Sequence, residues 1–511
     1  MKEYDVIIVG GGITGACTAR DCAMRGLVTL LIEREDLCDG ASGRNHGLLH
    51  SGARYAVNDP EGARECIREN KILRRIASNC VESCGGLFIS LPEDSLDYQS
   101  LFTDKCREAG IDARIIDPEE ARRLVPEVNP GIIGAVRVPD ASVDPFRLTD
   151  ANCLDAVRHG ADIVKFRAVT GFVKDAAGRV VGVKTPECEY RGRQVVLAAG
   201  IWAAGLAREA GVKIEMMPSK GALLVFGHRL ADMVINRCRK PSNSDILVPD
   251  DAVSVLGTTS DKIPFEECDD MRVTAAEVDH LLAEGVKMVP SLATTRILRA
   301  YAGVRPLVSA GGDARSASRG IVLLDHEQRD GVPGLITITG GKLTTARLMA
   351  EQATDLVCKK LGVDVKCRTA EVALPGSEPF RLKRGMPSWN LAAIGRHGSE
   401  CGKMDFRDGG SELVCECEQV TRAEIEYCVK AFGVRNLRDL RRHTRIGMGT
   451  CQGSYCVDRA AEILADLLPG TSARELVKDY LRERWKGMTP VLWGDTIREA
   501  EFMRRRHAHE V

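Results

Sequence analysis

Four cysteines near the C-terminal end of this 511-residue chain fall into two close pairs, Cys415-Glu-Cys417 and, 33 residues later, Cys451-Gln-Gly-Ser-Tyr-Cys456. Four thiolates so paired can close a four-cysteine site around zinc or an iron–sulfur cluster. The C-x-C and C-x4-C spacings depart from the C-x2-C pairs usual for zinc, which favours [2Fe–2S]; zinc and an empty site remain the alternatives. Gly447, Gly449 and Gly453 crowd the second pair, where missing side chains let backbone N–H groups approach sulfur. A helix is expected over 457–468, with its positive end toward the site. Cys428, between the pairs on an amphipathic segment, is expected in the core. Most of the nineteen cysteines are scattered singly, and Cys17 and Cys22 are expected as small buried hydrophobes.

At the other end, Gly10-Gly11-Gly12-Ile13-Thr14-Gly15 fits G-x-G-x-x-G. Gly10 permits a tight turn, Gly12 lets the backbone approach a pyrophosphate, and Gly15 lets helix and strand pack closely. The helix start offers free N–H groups and a positive dipole end to phosphate. The motif follows the apolar run Asp5–Val9 and opens a helical pattern over Ile13–Arg25. Glu33 ends the next strand-like run, Val28–Ile32, where a carboxylate can accept both ribose hydroxyls. Two later segments favour FAD over NAD. Val195–Trp202 is a strand running into a small-residue turn at Gly200, similar to the second nucleotide-side motif of two-dinucleotide flavoproteins. Gly340-Gly341-Lys342-Leu343-Thr344-Thr345 follows another apolar run and opens a helix, placing a helix start where a flavin ring can meet it.

These sites need more than one core, because 511 residues favour two to four domains. The apolar share of 44% is that of a soluble globular protein. With 71 basic and 72 acidic side chains, nothing points to nucleic-acid binding or a polybasic membrane anchor. No stretch approaches the ~20 apolar residues of a membrane helix, and the first residues lead directly into a strand, so a cytoplasmic chain without a signal peptide is expected. Helices are expected over Pro60–Cys80 and Pro118–Leu124. Strands are expected over Phe172–Val183, Gln194–Ala198, Ala222–Phe226, Val253–Leu256, Ile321–Leu324 and Leu335–Thr339. This suggests a nucleotide-binding domain interleaved with a sheet-rich substrate domain. Residues 376–411, rich in Gly, Pro, Ser and charge, are expected as a linker or loose connector.

Further motifs strengthen one likeness: Gly43-Arg44-Asn45-His46-Gly47-Leu48-Leu49-His50-Ser51-Gly52-Ala53-Arg54-Tyr55, Val143-Asp144-Pro145-Phe146-Arg147, Asn236-Arg-Cys238-Arg-Lys240-Pro241, Gly303-Val304-Arg305-Pro306-Leu307 and Glu483-Arg-Trp485-Lys486-Gly487. Nearly end to end, the chain resembles the A subunits of anaerobic, FAD-dependent glycerol-3-phosphate dehydrogenases. Its cysteine segment is similar to the domain of bacterioferritin-associated ferredoxin. The resemblance implies an α/β fold with an α+β substrate domain, of the two-dinucleotide-binding FAD oxidoreductase kind shared with D-amino-acid oxidase, plus a small helical [2Fe–2S] domain. The expected organisation is an oxidoreductase core over 1–360, with FAD-binding segments about 1–80, 150–205 and 300–360 and substrate-domain segments about 81–149 and 206–299. A connector over 361–411, the cluster domain over 412–468 and a helical tail over 469–511 follow.

The likeness further implies oxidation of sn-glycerol 3-phosphate to dihydroxyacetone phosphate by hydride transfer to FAD. Electrons then pass through the cluster held by Cys415, Cys417, Cys451 and Cys456 to two partners, a second flavoprotein and an iron–sulfur membrane-anchoring subunit, and on to quinone. Membrane contact, on the inner face of the cell membrane, comes only through those partners. Gly10, Gly12, Gly15, Glu33, Arg44, Asn45, Gly200, Gly341, Lys342 and Leu343 are expected at FAD. Arg54, Arg305, Arg319 and Lys342 are expected at substrate, since bidentate arginine suits phosphate. Arg305 is placed between a strand and a turn, its backbone limited by Pro306. His50 and His46 are the nearest candidates for the base. Aerobic relatives carry a histidine two residues after a Lys-Gly pair; after Lys220-Gly221 stand Ala222 and Leu223, so that base does not carry over. A flavin dehydrogenase of a 2-hydroxy or amino acid, and a non-catalytic electron-relay subunit, are the competing readings.

Overall fold

The computed structural model describes residues 2–308, 320–378 and 385–507. Strand Glu3–Val9 lies between Thr29–Ile32 and Glu189–Leu197, parallel to both. Leu335–Gly340 adds a further parallel neighbour to Glu189–Leu197. Val6, Ile7 and Ile8 have no exposed surface, as expected of a parallel sheet covered on both faces. On one face, Ala16, Ala19 and Ala23 of helix Ile13–Met24 join a core with Ile336, Ile338 and Met349; their small size lets the helix lie close. Gly26, at φ +82°, follows that helix, as a C-terminal glycine should. These four parallel strands end at one edge of the sheet, where nucleotide ligands of open α/β sheets bind.

The second half is a nine-stranded sheet built around one long antiparallel pair, Met216–Phe226 and Ile297–Val308. Its core gathers Leu87, Leu224, Phe226, Leu256 and Leu281. The pair sets Ser219 opposite Arg305 and Gly221 opposite Gly303. Arg305 therefore sits inside a 12-residue strand, not between a strand and a turn. Pro306 is tolerated because Ile297–Val308 is an edge strand and Pro306 faces Pro218, so neither imino acid interrupts a ladder that needs its N–H.

Helix Pro118–Leu124 lies where its charge and apolar pattern place it. The expected helix over Pro60–Cys80 ends earlier, at Ile76, and the expected strand Phe172–Val183 is two strands, Gly171–Lys174 and Val180–Lys184. The stretch expected as a loose connector differs more. It contains helix Ser388–His397, and its charges are buried in pairs: Arg396 and His397 reach Glu424 at 2.6 and 2.8 Å. Burial opposes ionisation of Glu424, but Arg396 and His397 outweigh it and hold the carboxyl at about 2. Composition points to solvent here because the partner lies 28 residues away.

Around the cysteines, helices Arg422–Phe432, Leu437–Thr444, Val457–Leu467 and Ala473–Met488 enclose Ile425, Cys428, Leu440, Leu464 and Tyr480. Thr421 and Asn436 cap the first two by accepting from Glu424 and Asp439 N–H. Among the described residues, no helix is long and apolar enough to cross a membrane.

His443 ties this domain to the nucleotide half. Its Nδ1 lies 2.6 Å from Asp150 and its Nε2 3.0 Å from Asp36, and the ring stacks on Phe432 at 4.5 Å. Burial alone lowers an imidazole pKa; Asp150 and Asp36 more than reverse this and raise His443 to about 9. The folded value exceeds the usual ~6.5, so the stabilisation is complete below that pH and lost as pH rises through 9. The thermal stability of the parent should therefore fall between about pH 6.5 and 9. His443→Asn should be less stable at pH 6 by about 3–5 kcal/mol and should lose that pH dependence. A variant with an unchanged melting profile across this range would show that the latch contributes nothing.

Candidate flavin cleft and cysteine site

The strand ends open on a cleft of about 1440 Å3. Gly10, Gly12, Glu33, Arg44, Asn45, Gly200, Gly341, Lys342 and Leu343 all line it, as do His46, His50, Arg54 and Arg305. Gly10 takes φ +116°, and a Cβ there would lie 2.7 Å from the Ala198 carbonyl oxygen. Gly15 stands behind the wall; its Cβ would lie 1.9 Å from the Gly10 carbonyl oxygen, so helix and turn touch only because residue 15 is glycine. Helix Ile13–Met24 starts at Gly12, which has no side chain to cap it, and has no acidic residue in its first turn; Ser42 Oγ takes only the Ile13 N–H, at 3.0 Å, and the positive end still faces the cleft. The Glu33 carboxylate accepts from Gly11 and Glu35 N–H at 2.5 and 2.9 Å. Burial pushes its pKa up against those bonds. Glycine backbone, helix N-terminus and carboxylate together fit the pyrophosphate and ribose of a dinucleotide such as FAD.

At the other end of the cleft stand the cations. Two glycines at positive φ, Gly340 and Gly341, turn the chain so that Lys342 enters the cleft; its ammonium lies 4.6 Å from the Tyr55 ring centroid and 3.9 Å from Asp59. The Arg54 guanidinium donates to the Ser242 carbonyl at 3.1 Å and to Asp245 at 3.3 Å. Arg305 donates to the hydroxyl of Thr258 and to the Thr259 carbonyl at 3.0 Å, with longer contacts to Ser219 and the Lys220 carbonyl. Gly221 makes room for it: a Cβ there would lie 2.6 Å from Arg305 Nη2. Arg319 lies outside the described residues.

His50 is nearly buried, its Nε2 3.5 Å from the Tyr55 hydroxyl and its backbone N–H bonded to Thr344 Oγ1 at 3.1 Å. His46 packs edge-on at 6.0 Å and accepts the Leu48 N–H on Nδ1. Lys220 turns away to Glu277 at 2.9 Å, and Leu223 presents an apolar side chain to the cleft. Sequence reasoning misses the Thr258–Ser260 hydroxyl run and Tyr55. The signal they carry is weak: polar residues that follow strand Val253–Gly257, and the residue that closes the Gly43–Tyr55 motif.

The two cysteine pairs, 33 residues apart in sequence, come together in space. Cys417 Sγ lies 4.0 Å from Cys415 Sγ and 3.4 Å from Cys451 Sγ, and Cys415 is also within contact of Cys456. Cys415 and Cys456 are buried, whereas Cys417 is exposed, so one edge of the site faces out. N–H groups of Gly453 and Ser454 point at Cys451, that of Cys451 at Cys417, and that of Glu418 at Cys415. Gly449 adjoins Cys417 directly, with an added Cβ 3.0 Å from its sulfur. Gly447 and Gly453 instead make room for the Tyr480 hydroxyl. Cys456 is the N-cap of helix Val457–Leu467. No three described His, Cys, Asp or Glu side chains converge on a single ion. Four thiols spread in pairs, with N–H donors on their sulfurs, fit a two-iron cluster better than one zinc.

A dinucleotide cleft on a doubly covered sheet, lined with cations and joined to a four-cysteine domain, defines a flavin-dependent oxidoreductase with an iron–sulfur module. Residues 5–356 match the family of FAD dependent oxidoreductases, and 413–466 match the BFD-like [2Fe-2S] binding domain. The chain is 55% identical to the A subunit of anaerobic glycerol-3-phosphate dehydrogenase from Escherichia coli K12, covering 98% of this chain and 96% of that one. It is 53% identical to the polypeptide of the same name from Haemophilus influenzae, over 98% and 91%. The crystal structure of glycerol-3-phosphate dehydrogenase from Bacillus halodurans complexed with FAD shares the fold, with TM-score 0.73, 22% identity and 97% of both chains covered. The chain belongs to the FAD-dependent oxidoreductases and, among them, to the A subunits of anaerobic glycerol-3-phosphate dehydrogenases, with FAD and [2Fe–2S] as its cofactors.

Proposed function

We propose that this chain oxidises sn-glycerol 3-phosphate to dihydroxyacetone phosphate in the cleft and passes the electrons through the cysteine-held cluster to partner subunits and membrane quinone. The observation that carries the reading is the convergence of Arg54, Arg305 and Lys342, from three separate segments, on the cleft that also holds Glu33 and His50. The relatives' names, which make each one part of an anaerobic glycerol-3-phosphate dehydrogenase of several subunits, support the substrate and the need for partners. With no membrane-crossing helix among the described residues, the expected location is peripheral, on the cytoplasmic face, through those partners.

FAD would be held by Gly10, Gly12, Glu33, Arg44, Asn45 and Gly200 and, when bound, would supply a hydride acceptor. Arg305, Arg54 and Lys342 hold the phosphate dianion; Thr258 and Thr259 orient the Arg305 fork. His50 accepts the hydroxyl proton at Nε2, beside the Tyr55 hydroxyl at 3.5 Å, while Thr344 Oγ1 holds its backbone N–H. His46, its Nδ1 already accepting from Leu48, positions His50 edge-on. Cys415, Cys417, Cys451 and Cys456 hold the cluster.

Anaerobic mixing of the holoprotein with single substrates tests the reading. Glycerol 3-phosphate should bleach the flavin absorbance in one turnover, and 2-hydroxy acids and amino acids should not. Bleaching by a hydroxy or amino acid alone would move the activity to that substrate class, and bleaching by none would leave an electron-relay subunit.

A further inference from the structure

Beside the loop that carries Cys451, two helices of the C-terminal tail and the start of a substrate-sheet strand bring three charged side chains together. Arg484, on helix Ala473–Met488, donates to Glu499, on helix Asp495–Arg506, at 3.3 Å. Arg296, just before strand Ile297–Val308, reaches the other oxygen of the same carboxylate at 2.9 Å. All three also hold the loop. Arg484 donates to the Gln452 side chain at 2.9 Å, Arg296 donates to the Thr450 carbonyl at 2.7 Å, and Glu499 accepts from the Ser454 hydroxyl at 3.4 Å. Thr450 and Gln452 flank Cys451 in the chain.

Two guanidiniums share one carboxylate, so the group carries one uncancelled positive charge. Arg296 is the more solvated of the two, with 30% of its side chain exposed. The Arg484 side chain is 3% exposed, and its Nε has no hydrogen-bond partner among the described residues. Arg441 repels the Arg484 charge, and Cys451 as a thiolate attracts it. Other charges near the cysteines are matched: Arg459 takes Glu416 at 2.8 Å, and Arg445 takes Glu418 at 3.2 Å. A buried charge is screened far less by water and salt than an exposed one. The field that the tail imposes on Cys451 therefore comes mainly from Arg484 and, with the opposite sign, from Glu499.

We propose that Arg484 and Glu499 set the reduction potential of the [2Fe–2S] cluster from outside its own domain, the guanidinium raising it and the carboxylate lowering it. The cluster-domain match ends at residue 466, so both residues belong to the tail that follows. The potential of an iron–sulfur site depends on its net charge, the hydrogen bonds on its sulfurs and its exposure. Each electron gained makes a four-thiolate site more negative by one charge, and a fixed cation beside one of its ligands favours that reduced form. Arg484 and Glu499 act as positioning residues, through the field and the hydrogen bonds at the Cys451 loop, and not as ligands.

Potentiometric titration of the full-length holoprotein, followed by the electron paramagnetic resonance of the reduced cluster, tests this. At a fixed potential, Arg484→Met should shift the ratio of oxidised to reduced cluster about tenfold toward the oxidised form, a fall of about 59 mV for one electron. Glu499→Gln, nearly equal in shape, should shift the potential upward. Arg484→Lys keeps the charge and should stay near the parent. Iron and FAD content should match the parent in all three. Loosening of the loop would move Arg484→Met and Glu499→Gln in the same direction, so opposite signs identify charge as the cause. An unchanged potential in either variant, shifts of the same sign, or a fall in Arg484→Lys as large as in Arg484→Met would overturn the proposal. Should Arg484→Met fail to load iron, Glu499→Gln decides alone: a rise supports the proposal, and a fall or no change refutes it.

Discussion

Arg305→Ala should lower kcat/KM for glycerol 3-phosphate by roughly 30- to 1,000-fold. A charge-assisted contact to a largely desolvated dianion is worth on the order of 2–4 kcal/mol when one partner is truncated, which converts to that range. The geometry supports such a contact. Strand pairing fixes the Arg305 backbone opposite Ser219. The side chain crosses over Gly221, and the Thr258 hydroxyl and Thr259 carbonyl set the plane of the fork. These neutral oxygens orient the guanidinium without cancelling its charge. Arg305→Lys should recover only part of the loss, because an ammonium cannot reproduce the fork. FAD content should stay the same. Glycerol, which lacks the phosphate, should be a poor substrate and nearly indifferent to the change. An equal loss on both substrates would place Arg305 at the flavin or in the fold and refute the phosphate role.

What is legible in the sequence is local. The three fingerprint glycines, the strand before them, the helix after them and Glu33 all lie within the first 33 residues, and each has a chemical reason that spacing alone reveals. The cysteine pairs are similar, since ligand spacing is a local property. What is not legible depends on pairings between distant segments. Sequence alone misplaces Arg305 because nothing near it announces a partner strand 86 residues earlier, at Ser219. The 376–411 stretch reads as solvent-exposed linker because Arg396 and His397 carry charge, and their shared partner Glu424 stands on another helix, 28 and 27 residues further on. His443 likewise bonds Asp150 and Asp36, 293 and 407 residues away. A buried charge is indistinguishable from a surface charge until its partner is known.

Cys415→Ser should abolish the visible absorbance of the cluster and its iron while leaving FAD bound. Cys415 is almost fully buried at the end of strand Leu413–Cys415, in contact with both Cys417 and Cys456. Its loss removes the thiolate that links the exposed half of the site to the buried half, and serine offers no soft sulfur in exchange. Cys451→Ser should do the same from the other pair, since its sulfur faces Cys417 at 3.4 Å. None of the four cysteines lines the flavin cleft, so glycerol 3-phosphate should still bleach the flavin in these variants. Electrons should then stop there, and reduction of quinone by the assembled enzyme should be lost. Cys428→Ala is the control: Cys428 is equally buried but belongs to the hydrophobic core, so the change should cost stability and leave the iron in place. Full iron content in a variant lacking all four cysteines, or zinc in the parent protein, would refute the assignment. A fall in FAD content parallel to the loss of iron would show instead that the cysteine domain holds the flavin cleft together, and that the two redox sites fold as one unit.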